Sequence, residues 1–320
     1  MHQHIILITE LNTPLNNADQ VESFFLGENI MVLKNHQEPT TVEEQIENLK
    51  KLGLIIKDEE KAKNFLNDVS YFRLIKAYGL GLKQKNGNFY SGISFDEIVE
   101  LYLFNANFRQ ALFSQIERIE INLRCRVANY FSVKYGVLGY EESRNFVSEE
   151  LHRQFLEDIS MEINRNRKAP FVKNFQTNYV DGKIPFYALV ELMSFGTLSK
   201  FYKNMKNEDK RAIANVYNVK YIYLESWIEN IAFVRNVCAH YGRLYNTKIP
   251  KMPVLYKEFK TLGVSNNRVF ATLICIKYLL ANDRHWHDFV DLINMLFEKY
   301  TDVNIELMGF PKEWRKLLLK

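Results

Sequence analysis

Apolar residues recur every three or four positions along most of this chain, the spacing that lines one face of an α-helix. In "TTVEEQIENLKKLGL" Thr41 and Glu44 form a capping box, Ile46, Leu49 and Leu52 a stripe, and Gly53 a stop, which together predict a first helix. A second is expected over "DEEKAKNFLNDVSYFRLIKAYGLGL", with Ala62, Phe65, Leu66, Val69 and Phe72 on its apolar face. Asn86 and Gly87 in "KQKNGNFYSGIS" then indicate a turn or short hairpin. The longest element opens at another capping box, Ser94 with Glu97, and keeps helical spacing to Gly136: roughly 40 residues, or about 60 Å at ~1.5 Å per residue. Further helices are expected over residues 148–166, 186–205, 208–217, 220–241, 267–281 and 285–299, with Pro170, Pro185, Pro250, Pro253 and Pro311 in the gaps.

The pattern predicts an all-α protein, with no β–α–β alternation to suggest a nucleotide-binding sheet. Residues 1–38 are Asn-rich and weakly periodic and read as an extension, within which Met31 is a plausible native start. An N-terminal helical module is expected at 39–92, the main helical domain at 93–300 and a C-terminal tail at 301–320. Composition agrees: 47% hydrophobic and 14% aromatic residues in 320 exclude disorder, and 13 Gly and 7 Pro leave long uninterrupted segments. No apolar run approaches the ~18 residues needed to span a bilayer, and "HIILITEL" lacks the flanks of a signal peptide, so a cytoplasmic protein with no membrane partner is expected. Cys125, Cys238 and Cys275 are widely spaced, and His285 and His287 diverge on a helix, so neither disulfide, metal nor cofactor is expected. A net charge of +4 permits a nucleic-acid partner without requiring one.

Candidate chemistry concentrates in "ENIAFVRNVCAHYGRLYN". On a helical wheel starting at Tyr221, Leu224, Trp227, Ile228, Ile231, Val234 and Cys238 occupy one arc from about 220° to about 340°. Glu225, Glu229, Asn236, His240 and Arg243 form a polar stripe elsewhere, yet Arg235 falls at about 320°, inside the apolar arc. A guanidinium there must reach a partner, an edge or an entering anion. A core-edge arginine paired with Glu229 or another acid, beside a capping histidine, explains both residues without catalysis. His240 lies about 140° around from Arg235, so the two converge only if the helix distorts or ends near Ala239 to Gly242, or if a second copy completes the site.

Taken together, "EEQIENLKKLGLII", "LNDVSYFRLIKAYGL", "IERIEINLRCRVANYFSVKYG", "IPFYALVELMSFGTLSKFY" and "RNVCAHYGRLYN", in this order over roughly residues 42–246, resemble the Abi-like (abortive infection, AbiD/AbiF type) bacterial proteins, a branch of the HEPN superfamily. Asn105 departs from the pattern, which has an acidic residue there. The resemblance implies a HEPN-type helical bundle and metal-independent endoribonuclease chemistry around Arg235, Asn236 and His240, with two copies of the motif forming one site in a homodimer. It also implies a toxin of anti-phage defence with a neutralising RNA or protein antitoxin. Histidine, with an ordinary pKa of about 6.5, can accept or donate a proton near neutrality. Paired arginine donors suit non-bridging phosphate oxygens. Arg243 and Asn246 would then position the strand, and Arg124, Arg126, the "NRNRK" run and Lys200, Lys203 and Lys206 would track its backbone unless they simply form solvated faces. Tyr71, Phe72, Tyr78 and Tyr130 could stack on bases or fill the core. The alternative reading is a non-catalytic RNA-binding or sensor protein using the same basic pocket.

Overall fold

The computed structural model describes residues 38–280 and 284–319. Nearly all of the expected N-terminal extension, Met31 included, lies outside the described residues, and a compact unit begins at Thr41. Helices α1 (Val42–Lys51) and α2 (Glu59–Val69) lead through a π-helical turn at Phe72–Lys76 to α3 (Phe95–Tyr135). There follow α4 (Glu149–Arg165), α5 (Pro170–Asn178), α6 (Phe186–Leu189), α7 (Phe195–Asn204), α8 (Asn207–Asn215) and α9 (Tyr221–Ala239). The described chain closes with α10 (Lys257–Thr261), α11 (Val269–Leu280), α12 (Arg284–Lys299) and α13 (Trp314–Leu319). The fold is all-α: among the described residues there is no sheet, only isolated bridges such as Lys83 with Phe89, which closes the hairpin at Asn86–Gly87.

Both capping boxes form as their sequences require. Thr41 and Ser94 each accept the backbone N–H three residues on at 3.2 Å, while Glu44 and Glu97 reach back to the cap N–H at 2.7 and 2.6 Å. From Ser94 the chain runs as a single 41-residue helix to Gly136, whose φ of 83° ends it. Helix α3 buries side chains around most of its circumference because α9, α11 and α12, as well as α6 and α8, pack along it. At one end, Phe131 sits among Tyr135, Phe146, Phe186 and Phe201 with ring centroids 4.8–5.4 Å apart. Toward the other end, Phe310 meets Phe108, Phe270, Phe297 and Trp314, so residues after 300 are fastened into the core. Such ring pairs add roughly 0.5–1.5 kcal/mol each beyond the area they bury. Among the described residues no helix is long and apolar enough to cross a membrane.

Two expected helices are interrupted, and both interruptions serve the region around α9. The second helix stops at Val69 because Ser70 adopts a left-handed φ of 39°. The wider π-helical turn then rotates the chain, so Leu74 and Ile75 point inward and Phe72, expected on the apolar stripe, is 79% exposed. The segment expected at 186–205 is broken into α6, a 3-10 turn at Val190–Leu192, and α7, whose start is capped by Ser194 accepting the Thr197 N–H at 3.0 Å. That break exposes the carbonyls of Val190 and Met193 to a side chain from α3.

Candidate functional site

Helix α9 carries the motif, and its apolar arc is buried as the wheel predicts: Leu224, Trp227, Ile228, Ile231, Val234 and Cys238 all lie in the core. The polar stripe divides in two. Glu225 pairs with Lys210 at 2.7 Å and Glu229 with Lys251 at 2.7 Å, whereas Asn236 and His240 are exposed and, among the described residues, their side chains bond no protein group.

Arg235 resolves the question its position raises by reaching across to α3. Its Nε donates to Glu120 Oε2 at 3.2 Å, and the guanidinium carbon sits 5.6 Å from the centre of the Phe113 ring. Among the described residues, its two terminal amino groups have no protein acceptor and remain at the edge of the core. The acid is therefore Glu120, not Glu229. Glu120 also accepts from Arg124 Nη2 at 2.7 Å, so one nearly buried carboxylate serves two guanidiniums and leaves one positive charge over.

Arg124 is not where a backbone-tracking residue would be. It is buried, and its Nη1 donates to the carbonyls of Val190 and Met193, the latter at 2.8 Å, so it ties the broken α6–α7 segment to α3. Arg126 lies elsewhere on α3, where its Nε donates to Asn122 Oδ1 at 2.8 Å and its guanidinium rests over Tyr217. Arg124 meets Arg235 only through their shared Glu120, and Arg126 bonds neither of them. The other basic candidates are similarly dispersed: Arg165 pairs with Glu162 at 2.6 Å and Lys200 with Asp158 at 3.6 Å. Tyr78 is buried and Tyr130 donates to Asp209 at 2.9 Å, so both serve the interior.

The helix ends at Ala239, within the Ala239 to Gly242 stretch where a break would be needed. His240 is the C-cap, and its N–H still bonds the Asn236 carbonyl at 3.0 Å, so its backbone keeps the helical azimuth. The ~140° offset from Arg235 therefore persists within one chain. Beyond it, Tyr241 N–H bonds Cys238 O at 3.2 Å and Gly242 N–H bonds Val237 O at 2.7 Å, the paired bonds of a Schellman ending. Position 241 needs a left-handed residue and has φ 58°, a conformation that costs a bulky side chain about 1–2 kcal/mol. Gly242 must be a glycine, since a Cβ there would sit 2.7 Å from Val237 Cγ1 and 3.0 Å from Val237 O.

Residues that the motif does not contain hold this ending. Asn105, fully buried on α3, accepts the N–H groups of Leu244 and Tyr245 through Oδ1 at 2.8 and 3.0 Å, and its Nδ2 approaches Gly242 O at 3.4 Å. An acidic residue in its place could accept both N–H groups but could not donate to Gly242 O, which accounts for an amide here. Arg109, one turn on and only 7% exposed, donates to the same Gly242 carbonyl at 3.3 Å, and Arg73, from the π-helical turn, donates to Tyr241 O at 3.3 Å. Arg243 donates to Ala77 O, and Asn246 Oδ1 faces Arg268 Nη1 at 3.4 Å.

Among the described residues, Arg73, Arg109 and Arg243 have no carboxylate partner. Arg73 and Arg109 bond carbonyls at the end of α9 and Arg243 one after the π-helical turn; neutral donors would satisfy the same carbonyls, and the helix dipole offsets only a fraction of three positive charges. Their field is felt locally. Burial pushes the Tyr78 hydroxyl up to about 12 against the opposing influence of Arg109, Arg243 and Arg73, and pushes the Cys238 thiol up to about 12 against Arg109. Burial also lowers the Arg243 pKa from its ordinary value. The result is positive charge gathered around the stretch of chain that directly follows His240, a setting suited to an anion. The sequence does carry a trace of Arg109: with Asn105 it stands at i and i+4 in line with Leu101, Leu112 and Ile116, the same intrusion into an apolar stripe that singles out Arg235.

Comparison with known proteins adds one match. A family model described as Abi-like protein matches residues 64–246, more than half of the chain, and the matched span holds Arg73, Asn105, Arg109, Glu120 and the whole α9 motif. No curated protein and no solved structure matches.

Proposed function

The chain belongs to the Abi-like protein family, and from that premise we propose that it is a metal-independent endoribonuclease of HEPN type acting as a toxin in bacterial abortive-infection defence against phage. The observation that carries this reading is the set of guanidiniums without carboxylates, Arg73, Arg109 and Arg243, beside an exposed His240 whose ring has no protein partner among the described residues. A guanidinium buried without a carboxylate, as Arg109 is, destabilises a fold, so its retention together with the part-buried Arg243 and the exposed Arg73 favours a role with phosphate.

RNA supplies its own nucleophile. One imidazole takes the proton from the 2′-hydroxyl as its oxygen attacks the adjacent phosphorus, and a second, protonated imidazole gives a proton to the departing 5′-oxygen. Charge gathering on the non-bridging oxygens is met by the free amino groups of Arg235, which Glu120 holds in place through Nε. Asn236, exposed one turn before His240, can orient its imidazole or bond a phosphate oxygen. The products are a 2′,3′-cyclic phosphate and a 5′-hydroxyl. A single chain offers one such imidazole and directs it about 140° away from Arg235, so two imidazoles at one linkage require two chains. A homodimer with a composite site follows, and its neutralising partner would be an RNA or protein that covers this surface.

Purified protein incubated with total RNA in EDTA tests the proposal. Fragments ending in 2′,3′-cyclic phosphate and beginning with 5′-hydroxyl are expected. RNA that is bound in a salt-sensitive way yet stays intact would instead identify a non-catalytic RNA-binding or sensor protein.

A further inference from the structure

Tyr241 stands directly after His240 in a conformation that disfavours any side chain, at a position where helices usually place glycine. A residue that only ended the helix would do so with less strain as glycine or asparagine. The ring is not there to fill the core, because Tyr241 is 66% exposed. It is instead steadied by two guanidiniums: the guanidinium carbons of Arg73 and Arg109 each lie 5.8 Å from its centroid, and the Tyr241 and Gly242 carbonyls receive hydrogen bonds from the same two side chains. An exposed aromatic ring, held rigid by two cations that no carboxylate neutralises, has the two halves of a nucleotide receptor: a π-surface for a base and positive charge for its phosphate.

Building on the ribonuclease reading, we infer that Tyr241 is the stacking platform for a nucleobase flanking the scissile linkage, with the buried Arg109 and the exposed Arg73 holding the platform and Arg73 drawing in the neighbouring phosphate. Stacking needs only a π-face, so Tyr241 contributes affinity and register to RNA of any sequence, while His240 beside it performs the proton transfer. Register matters most here. A base pinned next to the imidazole fixes which 2′-hydroxyl it meets.

The test uses the full chain and a short 2′-O-methyl oligoribonucleotide, which binds but cannot be cut because its nucleophile is blocked. Tyr241→Gly should weaken binding by about tenfold, within the range for loss of one stacked base, while the melting temperature stays level or rises because glycine accepts the left-handed backbone. Tyr241→Trp should bind within about twofold of the parent. In a series of probes each carrying one abasic position, one probe should bind the parent as weakly as the intact probe binds Tyr241→Gly. Equal binding of the intact probe by the parent and Tyr241→Gly, or an abasic series with no such position, would overturn the platform while leaving the ribonuclease reading intact. A parent protein that fails to bind the intact probe even at low salt would overturn both.

Discussion

Replacing His240 with alanine is expected to eliminate RNA cleavage, by about 10²–10⁴-fold at least, and with it any growth arrest on expression, while the melting temperature remains within error of the parent. The two halves of this expectation rest on separate observations. Among the described residues the imidazole makes no hydrogen bond to the protein and is exposed, so its removal opens no cavity and orphans no partner. The backbone of residue 240 is held independently, by its N–H to Asn236 O and by the Schellman bonds at Tyr241 and Gly242. Loss of activity can then be assigned to lost chemistry. Undiminished growth arrest from a well-expressed His240→Ala protein would remove His240 from the mechanism.

Glu120→Gln should behave in the opposite way, as a structural lesion with a functional consequence. The carboxylate binds Arg235 at 3.2 Å and Arg124 at 2.7 Å from a nearly buried position, and the amide leaves both guanidiniums without their counter-charge. Breaking a buried pair from one side costs roughly 3–5 kcal/mol; here Arg124 keeps its bonds to the Val190 and Met193 carbonyls and Arg235 can turn its head toward solvent, so the lower end, about 3 kcal/mol, is expected. Thermal or urea unfolding of the variant measures it directly. A loss below about 1 kcal/mol would mean that the bridge is as weakly coupled as a surface ion pair. Cleavage should fall as well, because Arg235 then has no fixed direction from which to meet the phosphate.

Much of this architecture is written in the chain, and the parts that are not have identifiable reasons. Capping boxes at Thr41 and Ser94 and the apolar spacing from Ile98 to Val127 specify α1 and the 41-residue α3, because caps and periodicity are local. The break at Ser70 is not local. Nothing in "NDVSYFRLIK" demands a left-handed serine followed by a π-turn; packing of Leu74 and Ile75 against α3 decides it, and the exposure of Phe72 follows. Around the motif, the wheel identifies Arg235 as anomalous and locates the helix end, but its partner Glu120 lies 115 residues earlier and no spacing rule connects them. Arg124 illustrates the converse. A basic residue on a long helix reads as a surface feature until the broken α6–α7 segment brings two free carbonyls to it. Asn105, Arg109 and Arg73 are likewise gathered by tertiary packing alone, so the sequence names the chemistry of the site without revealing what holds it.

A composite site built by two chains is best tested by measuring mass in solution and cleavage rate per chain across the same range of protein concentrations, in EDTA. The account predicts that the rate per chain rises with concentration and follows the fraction of particles of twice the 37.9 kDa chain mass. A particle that stays at the mass of one chain and cuts RNA at a constant rate per chain would contradict it.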